Sequence, residues 1–216
     1  MPDRPSRSPA EPLSPLAARV DEALALHSYE IESAVAAIDD AVPGHGGLFD
    51  PRTTDDERRA AIEDVATAEA PPERVPEPTV SEATLYVDGS CHGNPGPAGA
   101  GAVIRSGEAT LACLGWPVGS HVGNNIAEYA ALKYGLDAAI TRFGSTAVEV
   151  SCDSLTVIKD IWGDRQNAVE ASAYRKPIEN RLATLETHEW AHLTDDEYNP
   201  ADALATVGAD IAALGP

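Results

Sequence analysis

Four carboxylates are set apart from the other acidic residues by where the chain places them. Asp88 closes a short apolar run, 83–87, and Asp153 closes a second one, 147–151. Glu128 falls in the first turns of a long helical stretch, and Asp202 opens the last one. Functional groups in open α/β sheets collect beyond the carboxyl ends of the strands, so Asp88 and Asp153 on adjacent parallel strands would share one crevice. Three or four carboxylates gathered there repel one another unless cations neutralise them. Hard oxygen donors in that number suit Mg²⁺, which keeps part of its water and shares its shell with phosphate oxygens. Yet the chain carries 35 Asp and Glu in 216 residues, so an isolated acid is most often a solvated charge. Flanking sequence has to single these four out.

The elements that must position them read as follows. Strands are expected at 83–87, 101–105, 110–117, 147–151 and 188–192, the second and third joined by Ser106-Gly107-Glu108. Helices are expected at 125–142, 154–162, 169–185 and 200–214, the last with Pro200 in its first turn. Hairpin-like strands followed by alternating strands and helices predict an α/β fold, a mixed sheet covered by helices. Ahead of it, residues 1–15 hold prolines at 2, 5, 9, 12 and 15 and are read as disordered. Leu16, Val20 and Leu24, then Ile31, Val35 and Ile38, recur at helical spacing. Ser28 is read as the cap of the second of these helices. Thr53 or Thr54 is read as the cap of a third, with Asp55, Asp56 and Glu57 at its positive end. Four prolines in residues 70–82 predict a semi-rigid spacer. The expected division is an acidic helical region 1–69, a linker 70–82 and a catalytic region 83–216.

Composition excludes several classes. Three cysteines without a C-x-x-C pair make neither a disulfide framework nor a zinc ribbon. Nothing resembles a signal peptide or an eighteen-residue apolar span, which predicts a soluble cytoplasmic protein without a membrane partner. The formal charge is −20, only Lys133, Lys159 and Lys176 are lysines, and aromatics make up 5%. Such acidity disfavours a polyanionic partner at low ionic strength. At molar salt the Debye length is about 3 Å, and the same acidity becomes a device for staying soluble. A halophilic origin is the expectation.

The sequence around the four acids resembles the type 1 ribonuclease H family. Tyr86-Val87-Asp88-Gly89-Ser90-Cys91-His92-Gly93-Asn94-Pro95-Gly96 is similar to its first strand and glycine-rich turn. Asn124-Asn125-Ile126-Ala127-Glu128-Tyr129 is similar to its second motif, Val150-Ser151-Cys152-Asp153-Ser154 to its third, and Asn199-Pro200-Ala201-Asp202-Ala203 to its fourth. Four motifs in order are specific where one would be weak, and they span the region from about Ala83 to Leu214. The resemblance implies a ribonuclease H-like fold with a five-stranded mixed sheet. It also implies cleavage of the RNA strand of RNA–DNA hybrids by two Mg²⁺ ions, with Mn²⁺ as a substitute, giving 3′-hydroxyl and 5′-phosphate ends. The implied ligands are Asp88, Glu128, Asp153 and Asp202. His192 takes the place of a mobile histidine that moves protons or releases product.

Gly89, Ser90 and Cys91 would approach RNA 2′-hydroxyls, and Asn94, Asn124 and Asn125 would reach the minor groove. Cys152 is read as a small residue beside the metals and Cys113 as core. His121 and His188 are read as surface residues, and His92 as facing outward. A monomer is expected. The chain departs from the pattern at Gly123, where the family often has a hydroxyl residue. It lacks a basic protrusion between Ile161 and Arg175, where it has only Arg165 and Arg175, and it carries Thr194-Asp195-Asp196-Glu197 where arginine is common. The alternatives are a catalytically silent hybrid-binding protein and a relative that also cuts double-stranded RNA or a tRNA–DNA junction.

Overall fold

A computed structural model describes residues 12–44, 46–68, 80–144, 146–162, 172–194 and 196–215. Three helices come first: α1 (Pro15–Leu26), α2 (Ile31–Ala41) and α3 (Asp55–Thr67). There follow β1 (Glu82–Cys91), β2 (Gly96–Ser106), β3 (Ala109–Val122), α4 (Asn124–Phe143), β4 (Ala147–Cys152), α5 (Leu155–Ile161), α6 (Ser172–Leu182), β5 (Thr187–His192) and α7 (Asp202–Ala212). The strands form one sheet in the order β3-β2-β1-β4-β5. β1, β2 and β3 pair antiparallel, while β1, β4 and β5 run parallel. This is the five-stranded mixed sheet with flanking helices that was expected.

The first three strands run longer than their apolar runs suggest. The glycine-rich stretch expected as a turn is mostly sheet, and only residues 92–95 between β1 and β2 turn the chain. Its glycines serve close packing rather than bending. A Cβ on Gly99 would lie 2.1 Å from the Ala209 nitrogen, and one on Gly101 would lie 2.3 Å from the Ala201 oxygen, so α7 rests directly on β2. Side chains two apart share a face of a strand, and Ala102, on the opposite face, lies against Gly135 of α4 with Leu85 and Val87. Helix α4 therefore covers one face of the sheet and α7 the other. Small residues on α4 (Ala127, Ala130, Ala131, Ala139) are buried in this core.

Several expectations at the N-terminus change. Residues 1–11 lie outside the described residues, but 12–15 are part of the structure. Ser14 caps α1 by accepting from Ala17 N at 3.1 Å, Pro15 supplies its first turn, and Ser120 Oγ donates to the Pro12 carbonyl at 2.7 Å. A proline at the first helical position gives up only a donor that would be unpaired anyway. Ser28 does not cap α2. With Tyr29 it adopts a left-handed backbone, and Glu30 occupies the capping position without a side-chain bond. Thr54 closes a full capping box with Glu57 on α3. Most of the expected spacer 70–82 lies outside the described residues, although Val80 is buried in the main core and Glu82 already begins β1. Residues 163–171, which include the first three of the expected helix 169–185, likewise lie outside the described residues.

The helices α1–α3 pack onto the sheet unit. Leu16, Val20, Leu24, Ile31, Ile38, Leu48 and Ile62 share a core with Ile211 of α7. Glu30 bridges to Leu114 on β3, and Gly115 N donates to the Tyr29 carbonyl at 3.1 Å. Cys113, expected in the core, is half-buried on β3 and donates its N–H to Glu30 Oε2 at 3.2 Å.

Candidate active site

The pleat of β1 explains how two carboxylates from opposite faces meet. Asp88 pairs with Gly101 and Gly89 with Ala100. Directly paired residues point the same way, so Asp88 lies on the α7 face, where Asp202 opens the helix. Gly89 lies on the α4 face. A Cβ there would sit 2.3 Å from the Glu128 nitrogen and 2.5 Å from the Ala127 carbonyl carbon. Only glycine lets the start of α4 press on β1 so closely, and this contact brings Glu128 across the strand. Gly89 N–H donates to Glu128 Oε2 at 3.2 Å, and Asn124 Nδ2 donates to Oε1 at 3.5 Å. Asp153 follows the last residue of β4, beside the carboxyl end of β1. Asp88 and Glu128 are buried, and Asp153 and Asp202 are exposed.

The electrostatics record this convergence. Burial pushes the Asp88 carboxyl up to about 7, with the charges of Asp153 and Asp202 adding to it. Burial also pushes Glu128 up to about 9, helped by Asp88 and Asp153. Asp88 is thus linked to each of the other three, to Asp153 and Asp202 through its own shift and to Glu128 through that of Glu128. Donor atoms of Glu128, Cys152 and Asp153 lie within 4.8 Å of one another, a spacing that could hold a metal ion. Cys152 is buried, and burial together with the nearby Glu128 charge keeps its thiol protonated. The acidic cluster suits a divalent cation: its donors are chiefly hard oxygens, and two of them are carboxyls raised by burial and by their acidic neighbours, which a cation would offset.

His192 ends β5 and is exposed. Its Nε2 lies 3.2 Å from the Asp153 carbonyl oxygen, which places the ring at the same edge. Ser90 and Cys91 are half-buried at the end of β1. Ser90 Oγ lies 3.5 Å from Thr206 Oγ1, and the Cys91 thiol donates to the Gly93 and Val122 carbonyls. Gly89, expected to touch substrate, is buried with its N–H given to Glu128. Asn94 Oδ1 accepts from Asn124 N at 3.1 Å and so caps α4, whose N-cap residue Gly123 has no side chain to do it. Asn125 is half-buried in the first turn of α4.

His121 and His188 are exposed, as expected, and His92 is exposed and pairs with Asp210 at 2.7 Å. Thr194 gathers the Asp196 and Glu197 carboxylates at 2.6 and 2.8 Å, and Arg175 is engaged by Asp160 and Glu179. Asp195 and Arg165 lie outside the described residues. One residue was missed: Asn199, buried, donates Nδ2 to the Val87 carbonyl at 3.0 Å. Its signal was its place three residues before Asp202 within the fourth motif.

The comparisons with known proteins agree with this geometry. The family described as reverse transcriptase-like matches residues 86–208, a span that begins after α1–α3. The ribonuclease HI of Halobacterium salinarum is 34% identical over 129 residues, taking in 59% of this chain and 64% of that protein's length. The ribonuclease H of Nitrobacter hamburgensis is 34% identical over 146 residues, covering 61% of this chain and 93% of that protein. Among solved structures, RNase H1 from Halobacterium salinarum aligns with a TM-score of 0.56 at 32% identity, over 60% of this chain and 98% of that one. LC11-RNase H1, solved in complex with RNA/DNA hybrid, aligns with a TM-score of 0.54 at 27% identity, over 60% and 98%. A family match across more than half the chain and a relative spanned almost end to end lead to one conclusion: the chain belongs to the ribonuclease H family of enzymes.

Proposed function

We propose that the protein is an endonuclease that hydrolyses the RNA strand of RNA–DNA hybrids, leaving 3′-hydroxyl and 5′-phosphate ends. The observation that carries this reading is the meeting of Asp88 and Glu128, both buried and both raised, with exposed Asp153 and Asp202. Asp88, Glu128, Asp153 and Asp202 would hold two Mg²⁺ ions, or Mn²⁺ in their place. When bound, such ions supply Lewis acidity for phosphodiester hydrolysis and the charge that neutralises the carboxylates. Asp88, coupled to the other three acids, is the residue best placed to serve both ions. Glu128 is aimed by Gly89 N–H and Asn124, and Asp153 and Asp202 offer oxygens from the solvent side.

His192 moves protons at this edge. An imidazole whose Nε2–H donates to the Asp153 carbonyl keeps Nδ1 as the free acceptor in its neutral form. Ser90, Cys91 and Asn125 are half-buried at the crevice, where short side chains can meet a minor groove and its 2′-hydroxyls. The hybrid seen with LC11-RNase H1 favours the same substrate class here. All four carboxylates come from one chain, so a monomer suffices. The three free cysteines suit a reducing cytoplasm, and no described helix is long and apolar enough to cross a membrane.

The test is cleavage of end-labelled RNA–DNA hybrid in molar KCl with Mg²⁺ or Mn²⁺, followed by analysis of the product ends. Cutting of the RNA strand alone is expected, with DNA duplex left intact. An inert protein, or equal cutting of DNA, would overturn the reading.

A further inference from the structure

We infer that Asn199 is a positioning residue that fixes Asp202 against Asp88 through one side-chain amide joining their two elements. The inference rests on the proposed function of the carboxylate site. Asn199 is 9% exposed, and its amide is satisfied at both ends. Nδ2 donates to the carbonyl of Val87, the residue before Asp88, at 3.0 Å. Oδ1 accepts from the N–H of Ala201, the residue before Asp202, at 3.1 Å, and the Asn199 carbonyl accepts from Asp202 N at 3.2 Å. The β1–β4 ladder stops at Tyr86–Ser151, and just beyond it the Val87 carbonyl takes its hydrogen from this side chain.

The segment is also pressed down on the sheet, since the Ala201 oxygen sits where a Cβ on Gly101 would go. The charge of Asp202 helps to raise Asp88, so the two carboxylates repel each other. A buried amide bonded to both neighbours keeps the segment from yielding to that repulsion. Few other residue types can do this. The position needs a donor facing a carbonyl and an acceptor facing an N–H, on a side chain two bonds long. Aspartate matches the size, but it offers an acceptor to the Val87 carbonyl and adds a charge to the cluster.

The full chain and its Asn199→Ala and Asn199→Asp variants would be compared in two ways. Mn²⁺ binding without substrate is followed by the electron paramagnetic resonance of the free ion, and hybrid cleavage is resolved into kcat and KM. Groups that orient metal-binding residues contribute about 10–100-fold to affinity or activity. Mn²⁺ affinity and kcat are therefore expected to fall together by about tenfold or more in both variants, with KM for hybrid nearly unchanged. Ile38→Val, in the distant core of α1–α3, is the control for lost stability alone: its melting temperature should fall while its Mn²⁺ isotherm stays that of the wild type. If Asn199→Ala does not fold, the size-matched Asn199→Asp carries the test. A variant that melts earlier yet binds Mn²⁺ and turns over like the wild type would overturn the inference. A wild-type chain that neither binds Mn²⁺ nor cuts hybrid would instead overturn the function on which it rests.

Discussion

Replacing Glu128 by glutamine should abolish cleavage and at the same time stabilise the cation-free protein, but only at high pH. The carboxyl is buried between β1 and α4, and burial and the neighbouring acids push it up to about 9 from an ordinary 4.5. A group raised on folding binds its proton more tightly in the native state, so its contribution to stability is complete below about pH 4.5 and is lost as the pH rises through about 9. Each pKa unit is worth about 1.36 kcal/mol, so at pH 8, where the native carboxyl is still protonated and the unfolded one is not, taking up that proton on folding costs at most about 5 kcal/mol. Entering water and reoriented dipoles recover part of this, leaving about 1–3 kcal/mol. Glutamine keeps an acceptor for Gly89 N–H and carries no charge to desolvate. A chain of this length shifts its melting temperature by about 2–4 °C per kcal/mol, so a gain of about 2–12 °C at pH 8 is expected, vanishing at pH 4. The assay is thermal unfolding of both proteins in EDTA at fixed KCl from pH 4 to 9. Added Mg²⁺ should raise the wild type toward the variant. A gain independent of pH, or a variant less stable throughout, would refute the assignment of a raised, buried carboxyl.

Asp88→Asn and Asp153→Asn should each cut hybrid no faster than a blank while keeping the circular dichroism spectrum of the wild type; measurable turnover in either removes that residue from the site. His192→Ala should lower kcat by about 10²-fold, at the low end of what acid–base groups contribute, without altering Mn²⁺ binding; an unchanged kcat returns it to an ordinary surface residue. Ile31→Ala, beside Gly115 in the core shared by α2 and β3, should cost about 2–4 kcal/mol in a denaturant titration with kcat intact at 20 °C. Raising KCl from 0.1 to 1 M should lower KM for hybrid, opposite to the trend for a basic nuclease, because screening removes repulsion between two polyanions.

The part of the site written in short motifs was legible in the sequence. Asp88 and Asp153 end apolar runs, and strand ends are where a parallel sheet opens, so their convergence followed from local pattern alone. Contacts between residues distant in the chain were not legible. Gly89 looks like turn chemistry in sequence, and only the approach of α4, some forty residues later, makes it a packing glycine. Asn94 reads as a substrate contact, and nothing local says that its side-chain oxygen also caps α4 at Asn124 N. Asn199 was in plain view beside Asp202, but nothing local says that its amide crosses to Val87. Ser28 illustrates the opposite failure. A serine ahead of an apolar periodicity is a sound cap by propensity, yet the antiparallel bridge of Glu30 to Leu114 imposes a left-handed turn at 28–29 and moves the helix start to Ile31.

That bridge also gives α1–α3 a physical purpose that their composition conceals. In the sheet order, β3 is an edge strand, and unpaired edges invite pairing with other chains. Here Tyr29 and Glu30 occupy the edge: a backbone bond joins Tyr29 to Gly115, and the Glu30 carboxylate takes Cys113 N–H while holding Arg142 of α4 at 2.8 Å. The Tyr29 ring continues a line through Trp116 to Tyr134, at centroid spacings of 5.7 and 5.5 Å, from the appended helices into the body of the sheet unit. On the other side, Ser14 bonds the Leu214 carbonyl, and Ile211 is buried under α1 and α2. The appended helices therefore grip β3, α4 and the far end of α7, the helix whose first residue is Asp202. A linker joining independent bodies would leave those surfaces polar. The buried Ile31, Ile38 and Ile211 instead form one apolar core between the appended helices and α7.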